Sequence, residues 1–466
     1  MSSSDPITLP PYYFNDDPHS FGFETCRSRW VKILKNVIDD TRLEINSSKA
    51  NDLKKSQGAE IINKIESFSE ELATDSKLTP FHNDSIPGLK SFNETLSKLK
   101  DSPDGSRLKW LTGPWLFLEC WLYRKLDVFY KECSEWKNFD VFERLKRETF
   151  FSSTLGVYEL VNRYKKLQDG KAELIRDQEL LKVVYEEFIE ISLWGNATDL
   201  SLLANATLED IKSVQGSAAR AKSRKNIIAN DLDLTWDRIT KSAKSGNPRR
   251  VDFVLDNSGF EFFTDVCLSL FLLDFGLVDE IVYHCKTRPW MVSDTMIKDV
   301  QIMIDDLLDI SKFPEHRSDI QFFVDSITEY QKSGQIKTSE SEFWTIDLDY
   351  GNISPEETKF GGAELWKYFQ DSTLVIIKGD LNYRKLTADR HWPRDTPFTT
   401  AIGKLANSGI HLVALRTCKA DVCAGLPKGK DEELCEYWKS LGHEYGELWC
   451  SSGKWAVISY SSGSFN

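Results

Sequence analysis

RVDFVLDNSGFEFFTDVCLSLFLLDFGLVDEIVYHCKTRPWMVSD, residues 250–294, decides how the chain folds. Arg250 to Leu255 alternates and is rich in β-branched and aromatic side chains, which favours a strand. The Asp256-Asn257-Ser258-Gly259 turn stops it, and Phe260 to Phe275 then reads as an apolar buried helix ended by Gly276. Glu280 to Cys285 is a second short apolar run, with Asp294 beyond its end. A strand, a crossover helix and a parallel strand put both strand ends on one sheet edge, where open α/β sheets bind ligands. Asp256, Asn257 and Asp294 are therefore expected to converge there. Two carboxylates and an amide oxygen are hard donors, suited to Mg²⁺, Mn²⁺ or a similar divalent ion. The ordinary alternative is a βα turn whose Asp and Asn cap the following helix.

Working outward, 466 residues predict two domains, and 12% aromatic residues supply material for sizeable cores. A net charge of −13 with no lysine–arginine run makes nucleic acid and anionic membranes poor partners. Nine irregularly spaced cysteines without a CxxC pair suggest reduced thiols, hence the cytosol and also the nucleus. No apolar run is long enough to cross a bilayer.

The first half reads as helical. FETCRSRWVKILKNVIDDTRLEI places Trp30, Ile33, Leu34 and Ile38 on one face, and Trp110 to Tyr130 forms a dense aromatic segment containing Glu119 and Arg124. Such charges form internal salt bridges or face a cleft. Leu193-Trp194-Gly195-Asn196-Ala197-Thr198-Asp199 interrupts the helices, so Asn196 and Asp199 either cap them or reach the sheet edge. Residues 217–247 read as a connection, giving a mainly helical domain over 1–245 and an α/β/α domain over 246–466. In that second half helices and strands alternate, which argues for a mostly parallel three-layer sheet, and ELWCSSGKWAVISYSS reads as a closing hairpin.

Two further strand ends carry cations. TLVIIKGDLNYRKL runs into Lys378, Asp380, Leu381, Asn382, Tyr383 and Arg384, and HLVALRTCK into Arg416, Thr417, Cys418 and Lys419. Glycine lets backbone amides approach an oxyanion while Lys and Arg neutralise it, so a phosphate is expected between these groups and the metal. Asp231-Leu232-Asp233-Leu234-Thr235 matches a DxDxT phosphatase nucleophile pattern, but a weak strand before it and a helical sequence after it favour capping.

Taken together, GPWLFLECWLYRKL, LWGNATDLSLL, FVLDNSGFEFFTDV, KGDLNYRKL and the Arg416-Thr417-Cys418-Lys419 tetrad (RTxK) resemble the metal-dependent damage-control phosphatases, subfamily III, which includes the acidic-residue methyltransferase-like proteins. The resemblance runs from about residue 10 to the carboxyl end. It implies a helical amino-terminal domain packed on a Rossmann-like α/β/α domain, and a divalent ion (Mn²⁺, Co²⁺, Ni²⁺ or Mg²⁺) on Asp256, Asn257 and Asp294. It also implies catalysis by Asp256 and Asp294, with substrate meeting those residues, Asp380 to Arg384, and Lys419. Glu261 and Lys378 are further candidates beside them. The implied substrates are phosphorylated metabolites, including sugar phosphates such as fructose 1-phosphate, and the expected form is a monomer. The rival reading is an S-adenosylmethionine-dependent protein glutamate O-methyltransferase, against which the first α/β strand lacks a glycine-rich turn. A non-catalytic sugar-phosphate sensor is a third reading, separated from the phosphatase by turnover alone.

Overall fold

In a computed structural model, residues 9–83, 85–195, 224–242 and 248–464 are described. The organising element is a seven-stranded sheet in the order β1-β7-β6-β5-β2-β3-β4. Its strands are β1 (Ile227–Asn230), β2 (Arg250–Val254), β3 (Glu280–Cys285), β4 (Ile336–Glu340), β5 (Leu374–Lys378), β6 (Leu412–Thr417) and β7 (Ala456–Ser461). All pairings are parallel except β6 with β7. From β2 the chain builds outward through β3 and β4, then returns to lay β5 on the other side of β2. The carboxyl ends of β2 and β5 thus flank the switch point, with Val254 opposite Ile377, and a crevice opens above them.

Side-chain alternation makes the sheet the middle of three layers. Val375, Ile377, Leu412 and Ala414 join one apolar cluster with the helices Trp30–Ile45, Asp52–Ala73 and Trp115–Lys131. Leu374, Ile376, Val413 and Leu415 join another, with the helices Thr154–Asp169, Gln178–Trp194 and Phe260–Asp274. The last of these is apolar on nearly all sides because it lies between the sheet and helices of the first half, and Phe262, Phe263 and Phe271 are fully buried. Each such ring contributes about 1.5–3 kcal/mol of burial.

The helical first half therefore packs on both faces of the sheet. β1 and the helix Leu232–Ser242 come from before residue 246, where a connection was expected. KNIIAN carries only two consecutive large apolar residues, too short a run to announce an edge strand. The expected closing hairpin is instead a 3₁₀ turn, Gly446–Ser451, leading into β7, which pairs with β6. No helix among the described residues is long and apolar enough to cross a membrane.

Candidate active site at the β2–β5 switch point

The strand ends place acids against each other. Asp256 and Asp294 are buried, as is Glu261 in the first turn of Phe260–Asp274. The Asn257 amide donates to Asp256 Oδ2 at 3.0 Å and to Glu261 Oε2 at 2.8 Å, while its oxygen accepts from the Ser293 hydroxyl. A backbone bridge between Asn257 and Asp294 joins the two loops. Burial raises the Asp256 carboxyl well above the usual range, and the Asp294 and Glu261 charges push the same way. Burial also raises Asp294, to about 6, against the pull of Lys286 and Lys146.

The backbone is bent to reach this arrangement. Met291 and Val292 both have positive φ, 45° and 73°, immediately before Ser293 and Asp294. For a β-branched residue that conformation is strained, at about 1–3 kcal/mol, and here it aims the acid-bearing loop. Gly379 (φ 80°) opens the helix Gly379–Leu386 directly beside Asp256. A Cβ there would fall 1.8 Å from Asp256 Oδ2, so only glycine lets the second strand end come this close.

These groups line a cavity of about 260 Å³. Asp256, Asn257, Glu261, Ser293 and Asp294 form one wall, and Asp380, Leu381, Arg384, Thr417 and Lys419 another. Phe21, Arg29, Trp115, Glu119 and Tyr123 of the helical half complete it. Arg384 is held by Glu119 (2.6 Å) and by Asp389 (3.0 Å), with its guanidinium 3.7 Å from the Trp115 ring. Three of its five N–H groups are thereby engaged, which leaves two for a ligand. Asp380 Oδ1 accepts from Arg416 Nε at 2.8 Å and from the Lys419 amide at 2.9 Å, so it is fixed in place.

Other expected residues stand behind this wall. Asn382 is fully buried and donates to the carbonyls of Lys378 (2.7 Å) and Leu255 (3.0 Å), tying β5 to β2. Tyr383 faces Ala424, with its hydroxyl 3.1 Å from that amide, and does not line the cavity. Lys378 does not line the cavity: it bonds Asp265 (2.9 Å) and the Ser192 hydroxyl (2.8 Å) beneath it, and its ammonium lies 3.7 Å from Glu261 of the wall. The side chain of a strand's last residue points into a layer, and here that layer is the helix Phe260–Asp274. Arg416 braces the carbonyls of Ala420 and Val422, and the Cys418 thiol is fully buried outside the cavity. Arg124 pairs with Asp127 at 2.7 Å, about 140° around the helix from Glu119 at 100° per residue. Asn196 and Asp199 lie outside the described residues. Asp231 follows β1, whose carboxyl end points to the opposite sheet edge, and accepts from the Tyr460 amide at 2.9 Å.

Sequence reading missed several contributors, Lys286, Lys146, Arg29 and Tyr123 among them. Lys286, the residue after β3, pairs with Asp294 at 3.3 Å and donates to the Leu255 carbonyl at 2.6 Å. Its position after a buried strand was the same signal that singled out Lys378. Lys146, Arg29 and Tyr123 carry no local signal, since they sit on helices distant in sequence.

The chemistry of the set fits a divalent cation. Mutually repelling buried acids are relieved by one, and buried Asp294 Oδ2 meets the Lys286 ammonium at 3.3 Å without a well-aligned hydrogen bond. Turning the Asn257 amide would offer its oxygen to the same point, because the Ser293 hydroxyl accepts as readily as it donates.

Comparison with known proteins points to one family. A family model described as "Damage-control phosphatase ARMT1-like domain" matches residues 25–434. The protein named Damage-control phosphatase ARMT1 from Macaca fascicularis is 31% identical, covering 97% of this chain and 98% of that protein. Its human counterpart is 30% identical over 97% and 98%, and that of Xenopus tropicalis 31% over 95% and 96%. A solved DUF89 family protein from Pyrococcus horikoshii overlays with a TM-score of 0.36 at 11% identity, covering 93% and 96% of the two chains.

Proposed function

This chain belongs to the damage-control phosphatase ARMT1-like family, and from that premise we propose that it hydrolyses phosphate monoesters of small sugars, fructose 1-phosphate among them, with a divalent cation held by Asp256, Asn257 and Asp294. The observation that carries this reading is the group of buried acids facing the cationic strand ends across a small cavity. When bound, the ion supplies positive charge against the phosphate oxygens and favours in-line attack by water.

The chain's own residues do the rest. Lys419 and the two remaining N–H groups of Arg384 orient the phosphate, and Arg29 adds charge at the mouth. Asp380, fixed by Arg416 and the Lys419 amide, keeps the Lys419 loop at one distance from the acids. An attacking water must lose its proton, and Glu261, which lines the cavity outside the proposed ligand set, is placed to accept it. Trp115, Tyr123 and Phe21 close the cavity against bulk solvent and leave room for a small metabolite. That volume does not favour a methyl-donor nucleotide together with a protein glutamate. The active form is a monomer in the cytosol or nucleus.

The test is a panel of phosphate esters assayed with and without Mn²⁺, Co²⁺, Ni²⁺ and Mg²⁺. Cation-dependent phosphate release, greatest for ketose phosphates, is the expected result. Folded protein that releases no phosphate from any ester with any of the four ions would overturn the reading.

A further inference from the structure

Behind the cationic wall three thiols meet. Cys418, Cys423 and Cys450 are fully buried, and their sulfur atoms all lie within 4.8 Å of one another. They come from separate stretches: the residue after β6, the loop that follows, and the 3₁₀ turn before β7. Backbone bonds hold these stretches in register. The Cys418 amide donates to the Trp455 carbonyl at 2.8 Å, and the Gly453 amide to the Cys418 carbonyl at 2.8 Å. Cys450 Sγ lies 3.9 Å from the Val422 carbonyl.

Free cysteine often packs as a small apolar residue. Packing accounts for Cys26, Cys120, Cys133, Cys267 and Cys285, which join no comparable group among the described residues. It does not account for three sulfurs converging from three stretches. Nor does it account for the two guanidiniums beside them. Arg416 bonds the Ala420 carbonyl at 2.9 Å and that of Val422, while Arg394 bonds the carbonyls of Asp421 (3.3 Å) and Glu447 (3.1 Å). The two guanidiniums thus flank the loop that carries the thiols, each also paired with a carboxylate, Asp380 for Arg416 and Asp431 for Arg394.

We propose that Cys418, Cys423 and Cys450 form a second metal site, distinct from the acidic one, that takes a single Cu(I) ion. Thiolate sulfur selects soft ions, chiefly Cu(I) and Zn(II), and rejects the hard ions suited to the carboxylates. Zinc seeks four ligands in a tetrahedron, and among the described residues no fourth His, Cys, Asp or Glu joins the cluster. Full burial also withholds water as a fourth donor. Three sulfurs around an ion at about 2.3 Å, the zinc–thiolate length, stand about 4 Å apart, so the cluster closes with shifts of under about 1 Å. Binding releases three thiol protons to solvent and transfers no electron. The resulting charge of minus two is faced by Arg416 and Arg394. Occupancy pins the Thr417–Lys419 segment, and both of those residues line the active-site cavity.

The intact chain, purified without oxygen and stripped by a chelator, is titrated with Cu(I) against a competing Cu(I) chelator, with Zn(II) in a parallel arm. Protein expressed in copper-supplemented cells is measured alongside. The expected result is one Cu(I) per chain, with X-ray absorption showing three sulfur neighbours and no nitrogen or oxygen. Cys423→Ser binds at least about 100-fold more weakly, while Cys435→Ser, outside the cluster, binds as wild type. Should Cys423→Ser fail to fold, Cys450→Ala and the wild-type absorption spectrum decide the matter. The proposal is overturned by absence of copper in both preparations, by nitrogen or oxygen coordination, or by equal loss in Cys435→Ser. Tighter four-coordinate zinc, or a disulfide within the cluster in reducing buffer, overturns it equally.

Discussion

Asp294 shows how a single side chain reports on the whole site. Burial holds its proton up to about 6, whereas an unfolded chain releases it near the ordinary carboxyl value of about 3.9. Between those values the folded state binds the proton more tightly, so this group's contribution to stability falls as pH rises through the window. On the proposed function, a divalent cation binds the carboxylate only once it has lost that proton. Millimolar Mn²⁺ is therefore expected to raise the melting temperature clearly at about pH 7.5 and by less than half as much at about pH 5. Asp256→Asn should abolish both the shift and turnover while remaining folded. A shift of equal size at both pH values would mean that the ion binds elsewhere. Lys419 gives a second test at this scale. Lys419→Ala should lose about 2–4 kcal/mol of transition-state stabilisation, as removal of one oxyanion donor does, and to the same extent for every sugar carrying the phosphate. A loss that tracked the sugar would reassign Lys419 to sugar recognition.

Elements are held at the site by charges that never touch the cavity. Lys146, on the helix Glu143–Ser152, is buried between Asp140 (2.8 Å) and Asp299 (2.7 Å), with its ammonium 3.5 Å from the Asp294 carbonyl. This one side chain docks a helix of the first half onto the loop that carries Asp294. Lys146→Met leaves buried Asp299 without its ion-pair partner and Asp140 with Lys298 alone, so unfolding free energy should fall by about 3–5 kcal/mol. Turnover should fall with it at temperatures where the variant is still folded. Lys241, on the helix Leu232–Ser242, pairs with Asp237 with both side chains exposed, and Lys241→Met should cost less than about 1 kcal/mol with turnover intact. Chemical denaturation of the two variants makes the comparison, and equal losses would remove Lys146 from this role.

Across the whole molecule, Glu119 and Arg384 link the helical half to the sheet inside the cavity wall. Glu119→Gln keeps the shape and an acceptor oxygen but removes one charge, and Asp389 still holds the guanidinium. If the helical half reads the sugar, the ratio of rates on fructose 1-phosphate and on a plain aryl phosphate should fall, with the melting temperature nearly unchanged. A preserved ratio with a lower melting temperature would make Glu119 a structural brace only.

The sequence by itself determined the parts whose causes are local. Alternation and turn residues placed β2, the helix after it and β3, and strand ends followed by Asp256, Lys378 and Arg416 marked one edge of the sheet. Side-chain direction at those ends was decided only by tertiary structure. Lys378 and Arg416 sit at neighbouring strand ends and look equivalent in sequence, yet one is buried against Asp265 and the other braces a loop. Only packing tells which layer a side chain enters. The same holds for Lys146, Arg29 and the cysteine cluster, whose members are brought together by backbone pairing across long sequence separations. Local propensity fixes which elements form, because it acts over a few residues. Which elements share a cavity depends on burying the two faces of one sheet, and no short stretch of sequence encodes that.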